Sequence, residues 1–148
     1  MNDESPILQI FNESGVDIPL QEKKLSQLLE YIEKQEHCRF SFVELVYVDE
    51  KEIIRINSEY LQREYITDII SFRYDEDQSN SQIEGTLYCC APRIKEQARE
   101  FDESVSRELL RIFIHGLLHL IGFEDKASAE KKQMTALEDH YLAYSKSI

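Results

Sequence analysis

The sequence predicts an α+β domain in which helices pack on a mixed β-sheet. Hydrophobic periodicity gives the order strand, helix, strand, helix, strand, strand and then helices, which is typical of this class. The composition, with 42% hydrophobic and 31% charged residues, is that of a soluble globular protein. Because 148 residues suffice for one sizeable core, we expect a single domain over residues 1–148.

The N-terminal part predicts a strand followed by a helix. A short apolar stretch from Ile7 to Phe11 ends at the turn-forming segment 12–15. Pro19 suits the first turn of a helix. Apolar residues then recur at the spacing of one buried helical face: Leu25, Leu28, Leu29 and Ile32.

The next two elements are predicted as a strand and a second helix. The segment from Cys38 to Val48 is rich in Phe, Val and Tyr, and one parity holds Phe40, Phe42, Val46 and Val48. Asp49 and Glu52 have the spacing of a capping box. The apolar face of the second helix follows at Ile53, Ile56 and Tyr60, and the polar segment 62–66 connects it to the next element.

Two further strands are predicted at Ile69 to Phe72 and at Ile83 to Cys90. The acidic, polar segment 75–82 between them indicates a solvated loop, so the strands should form a hairpin or lie as near neighbours in one sheet. Adjacent strand residues point to opposite faces. Cys89 and Cys90 are therefore interpreted as core and sheet-face residues, not metal ligands.

The C-terminal part predicts three helices. The first opens at Pro92 and ends near Phe101. The second runs from about Ser104 to Ile121, and its predicted buried residues are Val105, Leu109, Ile112 and Phe113. The last begins at Ser128, with Met134, Leu137 and Tyr141 facing inward. His140 has no neighbours at ligand spacing and is interpreted as a surface or capping histidine.

The end of the second of these helices carries a candidate metal site. His115 and His119 are one helical turn apart, so their imidazoles can point at the same position. Gly122 suits the end of the helix, after which Glu124 or Asp125 can approach that position. Two histidines and a carboxylate suit catalytic zinc, which keeps an open fourth position. A histidine pair at this spacing also arises by chance, so the residues alone leave both interpretations open.

Glu108 is a candidate for orienting a ligand. It lies seven residues before His115 and hence on nearly the same helical face. A metal-bound histidine usually donates its second N–H to such a carboxylate. A solvent-facing glutamate is the alternative.

Charge and cysteine content restrict the expected binding partners and cellular compartment. The net charge of −12 is unusual for a protein that binds nucleic acid, which normally relies on lysine and arginine, and favours a protein or small-molecule partner. Three cysteines do not form a disulfide framework. The first five residues lack a secretory pattern, and no apolar run reaches membrane-spanning length. We therefore expect a cytoplasmic protein.

The segment from His115 to Asp125 resembles the signature of the YbeY family of metal-dependent endoribonucleases, which act in ribosomal RNA maturation. The family pattern is His-Gly-x-Leu-His-Leu-x-Gly-aromatic-Asp-His, and every position from His115 through Phe123 fits it. Glu124 then replaces the family's Asp, and Asp125 replaces its third metal-binding His. Asp125 can preserve the ligand count, because carboxylate oxygen binds zinc at nearly the same distance as imidazole. It would make a bound water less acidic than three neutral histidines would.

A second segment is similar to the family's Asn…aromatic-Arg…Thr-Asp-Val-Leu-Ser-Phe pattern, at Asn57, Tyr60, Thr67, Asp68, Ser71 and Phe72. The family's arginine, which belongs to its RNA groove, falls on Leu61. Arg63 is the candidate substitute, and Arg63 and Arg73 are candidate phosphate contacts. The resemblance extends from about Val43 to Asp125 and implies a central four-stranded sheet covered by the metal-binding helix.

The resemblance implies a zinc-dependent endoribonuclease specific for single strands, acting in 16S rRNA 3′-end processing and ribosome quality control. His115, His119 and Asp125 would hold one divalent ion per chain, and His115, His119 and Arg63 would form the catalytic set. The implied partners are ribosomal RNA and the ribosome or its proteins, with no membrane and no DNA. One alternative is a ribosome-assembly factor with a structural metal. The other, a zinc protease, is disfavoured because Gly116 occupies the position of its general-base glutamate.

Overall fold

A computed structural model describes residues 7–76 and 79–148. The N-terminal segment considered above for a signal and part of the acidic loop lie outside the described residues. In chain order, the elements are β1 (Leu8–Asn12), α1 (Glu22–Glu36), β2 (Phe40–Val48), α2 (Glu50–Leu61), β3 (Ile69–Arg73), β4 (Ile83–Cys90), α3 (Ala91–Glu100), α4 (Val105–Ile121) and α5 (Ser128–Ser145). The predicted order of elements is therefore confirmed.

The four strands form one mixed sheet in the order β1-β2-β4-β3. The pairs β1–β2 and β2–β4 are parallel, whereas β3 and β4 are antiparallel neighbours. This arrangement confirms the α+β class, the four-stranded sheet and the pairing of the two strands that flank the acidic loop.

Apolar residues cover both faces of the sheet. The larger core lies between the sheet and helices α1, α3, α4 and α5, and a smaller cluster lies under α2. Cys89 belongs to the larger core and Cys90 to the smaller cluster, as the strand alternation predicts.

The strand predicted at β2 is confirmed, but the residues that share one parity in its sequence do not share one face of the sheet. Phe40 lies in the larger core, whereas Val46 and Val48 lie in the cluster under α2. The register with β4 shifts between Phe40 and Phe42, so a bulge at Ser41 moves Phe40 to the opposite face. Periodicity alone cannot show such a bulge.

Two glycines let α4 approach the sheet closely. A Cβ at Gly116 would lie 2.7 Å from Ile69 Cδ1 and 2.8 Å from Leu87 Cδ1. A Cβ at Gly85 in β4 would lie 2.7 Å from a methyl of Leu120. The histidine-bearing end of α4 therefore packs directly against β3 and β4.

The start of α2 is capped as its sequence predicts. The Asp49 carboxylate accepts a hydrogen bond of 2.8 Å from the Glu52 N–H. The Glu52 side chain binds Arg55, so an ion pair takes the place of the second half of the capping box. Within residues 7–76 and 79–148, no helix has the length and apolar character needed to cross a membrane.

Candidate metal centre

The last turn of α4 positions the two histidines. His115 and His119 are each about one-fifth exposed, with side-chain values of 18% and 23%. The helix ends at Gly122, whose φ of 125° is strained for any residue with a side chain. The Gly122 N–H donates to the carbonyls of Leu118 and His119, and the chain then turns back toward the imidazoles.

Three side chains converge on one position. His115 Nε2 lies 3.0 Å from His119 Nε2. One oxygen of Asp125 lies 3.5 Å from His115 Nε2, and the other lies 3.5 Å from His119 Nε2. Ligands at zinc-like bond lengths in tetrahedral geometry are separated by about 3.3 Å. The three side chains could therefore hold one metal ion with little rearrangement.

The turn after Gly122 brings Asp125, and not Glu124, to this cluster. Asp125 is partly buried beside the imidazoles, whereas Glu124 is exposed and lies outside the cluster. Glu130 fixes the turn, since its Oε1 accepts hydrogen bonds from the N–H groups of Lys126 and Ala127. The sequence left the choice between the two acids open, and the geometry favours Asp125.

Glu138 of α5 orients His115. Its Oε2 lies 2.6 Å from His115 Nδ1, and its side chain is 6% exposed. A proton on Nδ1 satisfies this contact and leaves the Nε2 lone pair facing the cluster, as metal binding requires. The Nη1 group of Arg111 donates to the other oxygen of Glu138 at 3.0 Å.

Glu108 takes neither of its two predicted roles. It is 1% exposed, so it does not face solvent, and the polar partners that the structure gives it are Arg111 and Gln97. Glu108 thus supports Arg111, which in turn holds Glu138. Sequence reasoning missed Glu138, although a signal existed: it falls between Met134 and Tyr141 on the inward face of α5, where an unpaired acid would be costly.

The electrostatic environment favours a neutral imidazole at His119. Burial lowers the pKa of this side chain, and the neighbouring His115 lowers it further, while Asp125 and Glu124 act in the opposite direction. The neutral form is the one that binds metal.

The histidine pair opens onto a groove of roughly 410 Å³, within the range of about 300–1,000 Å³ typical of ligand sites. Asp125 also lines it, and the other lining residues come from α2, the connection to β3, and β3 itself: Asn57, Leu61, Arg63, Tyr65, Thr67, Asp68, Ile69, Ile70 and Ser71. A larger cleft between the starts of α1 and α4 has no histidine or acidic side chain among the described residues that line it. The groove is therefore the better candidate for the active site.

The two candidate phosphate contacts have different environments. Arg63 is exposed and lines the groove, as its predicted role requires. The structure does not support the predicted role of Arg73, because its side chain is only 16% exposed and its guanidinium binds Asp75, Asn80 and the Leu120 carbonyl. Arg73 fixes the loop after β3 to the end of α4. His140 is exposed and lies outside the cluster, as predicted.

Comparison with known proteins identifies the family. The family model for endoribonuclease YbeY matches residues 9–146. The endoribonuclease YbeY of Chloroherpeton thalassium is 40% identical over 124 residues, which cover 84% of this chain and 86% of the relative. That of Chlorobaculum tepidum is 36% identical over 135 residues, 91% of this chain and 95% of the relative.

The fold is also similar to a solved structure. The solution structure of TM1509 from Thermotoga maritima has a TM-score of 0.61 and 28% sequence identity, and the match covers 93% of this chain and 88% of that one. Together with the family match, this agrees with the signature that begins at His115. The chain therefore belongs to the YbeY family of endoribonucleases.

Proposed function

We propose that this protein is a metal-dependent endoribonuclease that hydrolyses phosphodiester bonds in single-stranded RNA. The observation that carries the proposal is the convergence of His115, His119 and Asp125 at the wall of an open groove, where one ligand atom from each side chain lies within 4.8 Å of the others. The names of the relatives supply the substrate class.

The residues present fit a zinc ion. Two imidazole nitrogens and one carboxylate oxygen form a donor set that zinc commonly uses, and three protein ligands leave a position for water. When bound, the ion would supply an activated water and stabilise negative charge on the phosphate.

The protein's own residues have separate tasks in this proposal. His115, His119 and Asp125 hold the ion, while Glu138 fixes the orientation of His115. Arg63, at the same groove, contacts a substrate phosphate.

The proposed cellular role is maturation of ribosomal RNA, including 16S rRNA 3′-end processing and ribosome quality control, in the cytoplasm. It rests on family membership and on the signature at His115. The proposed partners are ribosomal RNA and the ribosome or its proteins, not DNA or a membrane.

One experiment tests the enzymatic proposal directly. Protein loaded with zinc is incubated with a labelled single-stranded RNA, and metal content is measured on the same sample. We expect near one ion per chain and endonucleolytic cleavage, with both lost in His119→Ala. His140→Ala, which removes an exposed histidine outside the cluster, serves as the matched control. Equal, background-level cleavage by the unaltered protein and His119→Ala would contradict the proposal.

A second candidate is a ribosome-assembly factor that binds proteins and uses the metal structurally. The net charge of −12, and Leu61 in place of the family's groove arginine, favour it. Metal binding without cleavage in the experiment above would support this alternative. A zinc protease is disfavoured, because the position of its general base is Gly116, packed against Ile69 and Leu87.

A further inference from the structure

The groove carries too little positive charge to bind RNA mainly by neutralising its phosphates. Among the described residues that line it, Arg63 carries the only permanent positive charge, and Asp68 and Asp125 carry negative charge. A bound divalent cation would bring the groove only to a small positive charge. Binding by phosphate neutralisation would require several cations along the path of the strand.

An exposed aromatic ring lies in the same groove. Tyr65 is 52% exposed and lines the groove together with Arg63 and the histidine pair. Exposed aromatic rings beside a backbone contact are the usual platform on which proteins stack the bases of single strands.

Hydrogen bonds to Asn57 of α2 hold the segment that carries Tyr65. Asn57 is 1% exposed, and its side-chain Nδ2 donates to the Tyr65 carbonyl at 3.0 Å. The Asn57 carbonyl accepts from the Arg63 N–H at 3.1 Å. Arg63 Nη1 in turn donates to the Tyr65 hydroxyl at 3.3 Å. The two bonds to Asn57 hold the backbone of this segment, and the third places the Arg63 guanidinium beside Tyr65.

We infer that Tyr65 is a base-binding residue, on whose ring one base of a single-stranded RNA stacks while Arg63 contacts the adjoining phosphate. The inference rests on the proposed function, because it names the binding mode of that substrate. Stacking supplies affinity that does not depend on salt, so an acidic protein with one groove cation can still hold RNA.

Binding of a fluorescein-labelled single-stranded RNA octamer to zinc-loaded protein tests the inference. Affinity is measured by anisotropy at several salt concentrations, and RNA integrity is checked on a gel. With one arginine and one metal ion, the slope of log K against log salt should be no steeper than about −1.5, since each phosphate contact contributes about −0.7 for single strands.

The variants separate the two contributions. Tyr65→Ala should weaken binding roughly 5- to 150-fold without changing the salt slope. Tyr65→Phe, which retains the ring, should bind nearly as the unaltered protein does. Arg63→Gln should instead reduce the slope by about 0.7. Tyr74→Ala is the matched control, because Tyr74 is also 52% exposed but does not line the groove.

The failures are distinguishable. Two results would overturn the stacking inference and leave the nuclease proposal intact, provided that RNA is still cleaved. One is an unchanged RNA affinity in Tyr65→Ala. The other is a slope of log K against log salt steeper than about −3 for the unaltered protein. Neither binding nor cleavage by the unaltered protein would overturn both.

Discussion

The substitution Glu138→Gln isolates the support of His115 from the ligands themselves. The Glu138 carboxylate accepts two contacts, from His115 Nδ1 at 2.6 Å and from Arg111 Nη1 at 3.0 Å. Glutamine has nearly the same shape but only one acceptor oxygen, so one of the two contacts must fail. If its NH₂ faces Arg111, two donors meet. If it faces His115, it donates to Nδ1 and moves the imidazole proton to Nε2, where a ligand needs a lone pair.

The expected loss follows from this geometry. Removing the partner that orients a metal-bound histidine typically costs 10- to 100-fold in metal affinity, or about 1.4–2.7 kcal/mol. The metal-free protein should lose about 1–2 kcal/mol of unfolding free energy, since a buried hydrogen bond is lost but Arg111 keeps its pair with Glu108. Zinc affinity is measured by competition with a chromophoric chelator, and stability is measured by urea unfolding without metal.

Asp139→Asn is the matched control. It makes the same charge change one position along α5, but its side chain is exposed and lies outside the metal cluster. We expect its zinc affinity to equal that of the unaltered protein. A zinc affinity of Glu138→Gln within twofold of the unaltered protein would refute the assigned role of Glu138.

Three further predictions concern stability and are checked by denaturant unfolding. Tyr47→Phe should leave stability unchanged or raise it by about 1 kcal/mol, because among the described residues the buried Tyr47 hydroxyl has no hydrogen-bond partner. A loss of stability of more than about 1 kcal/mol would show that this hydroxyl has a hydrogen-bond partner in solution. Gly85→Ala should destabilise by about 1–3 kcal/mol, because its Cβ would lie 2.7 Å from the Phe72 carbonyl oxygen; unchanged stability would contradict this close approach. Asp75→Asn should cost about 1 kcal/mol at neutral pH, because Arg73 lowers the pKa of Asp75 to about 2 and the ionised form is stabilising above pH 4. That difference should vanish as pH falls through about 2, and a difference that persists there would exclude the ion pair as its source.

Much of the fold could be predicted because its signals are local. The apolar spacing in α1 and the alternation at Cys89 and Cys90 depend only on helix and strand geometry. The sheet order β1-β2-β4-β3 could not be predicted from periodicity, since β4 inserts between two strands that precede it in the chain. The bulge at Ser41 was also invisible, because one unpaired residue reverses the faces without changing composition.

The same division applies to the candidate site. His115 and His119 could be identified because one helical turn fixes their separation wherever the helix lies. Arg73 was misassigned because its guanidinium binds the Leu120 carbonyl, which lies 47 residues away in sequence. Glu138 was missed for the same reason, since it lies 23 residues from His115.

The sequence by itself determined the helices and strands, the histidine pair and the family to which the chain belongs. Tertiary structure alone decided that Asp125 faces the imidazoles, that the Glu108–Arg111–Glu138 chain supports one of them, and that Tyr65 and Arg63 line the same groove. The physical reason is that backbone periodicity depends on residues close in sequence, whereas the groove and the metal-site contacts form only when α4 packs against the sheet and α5.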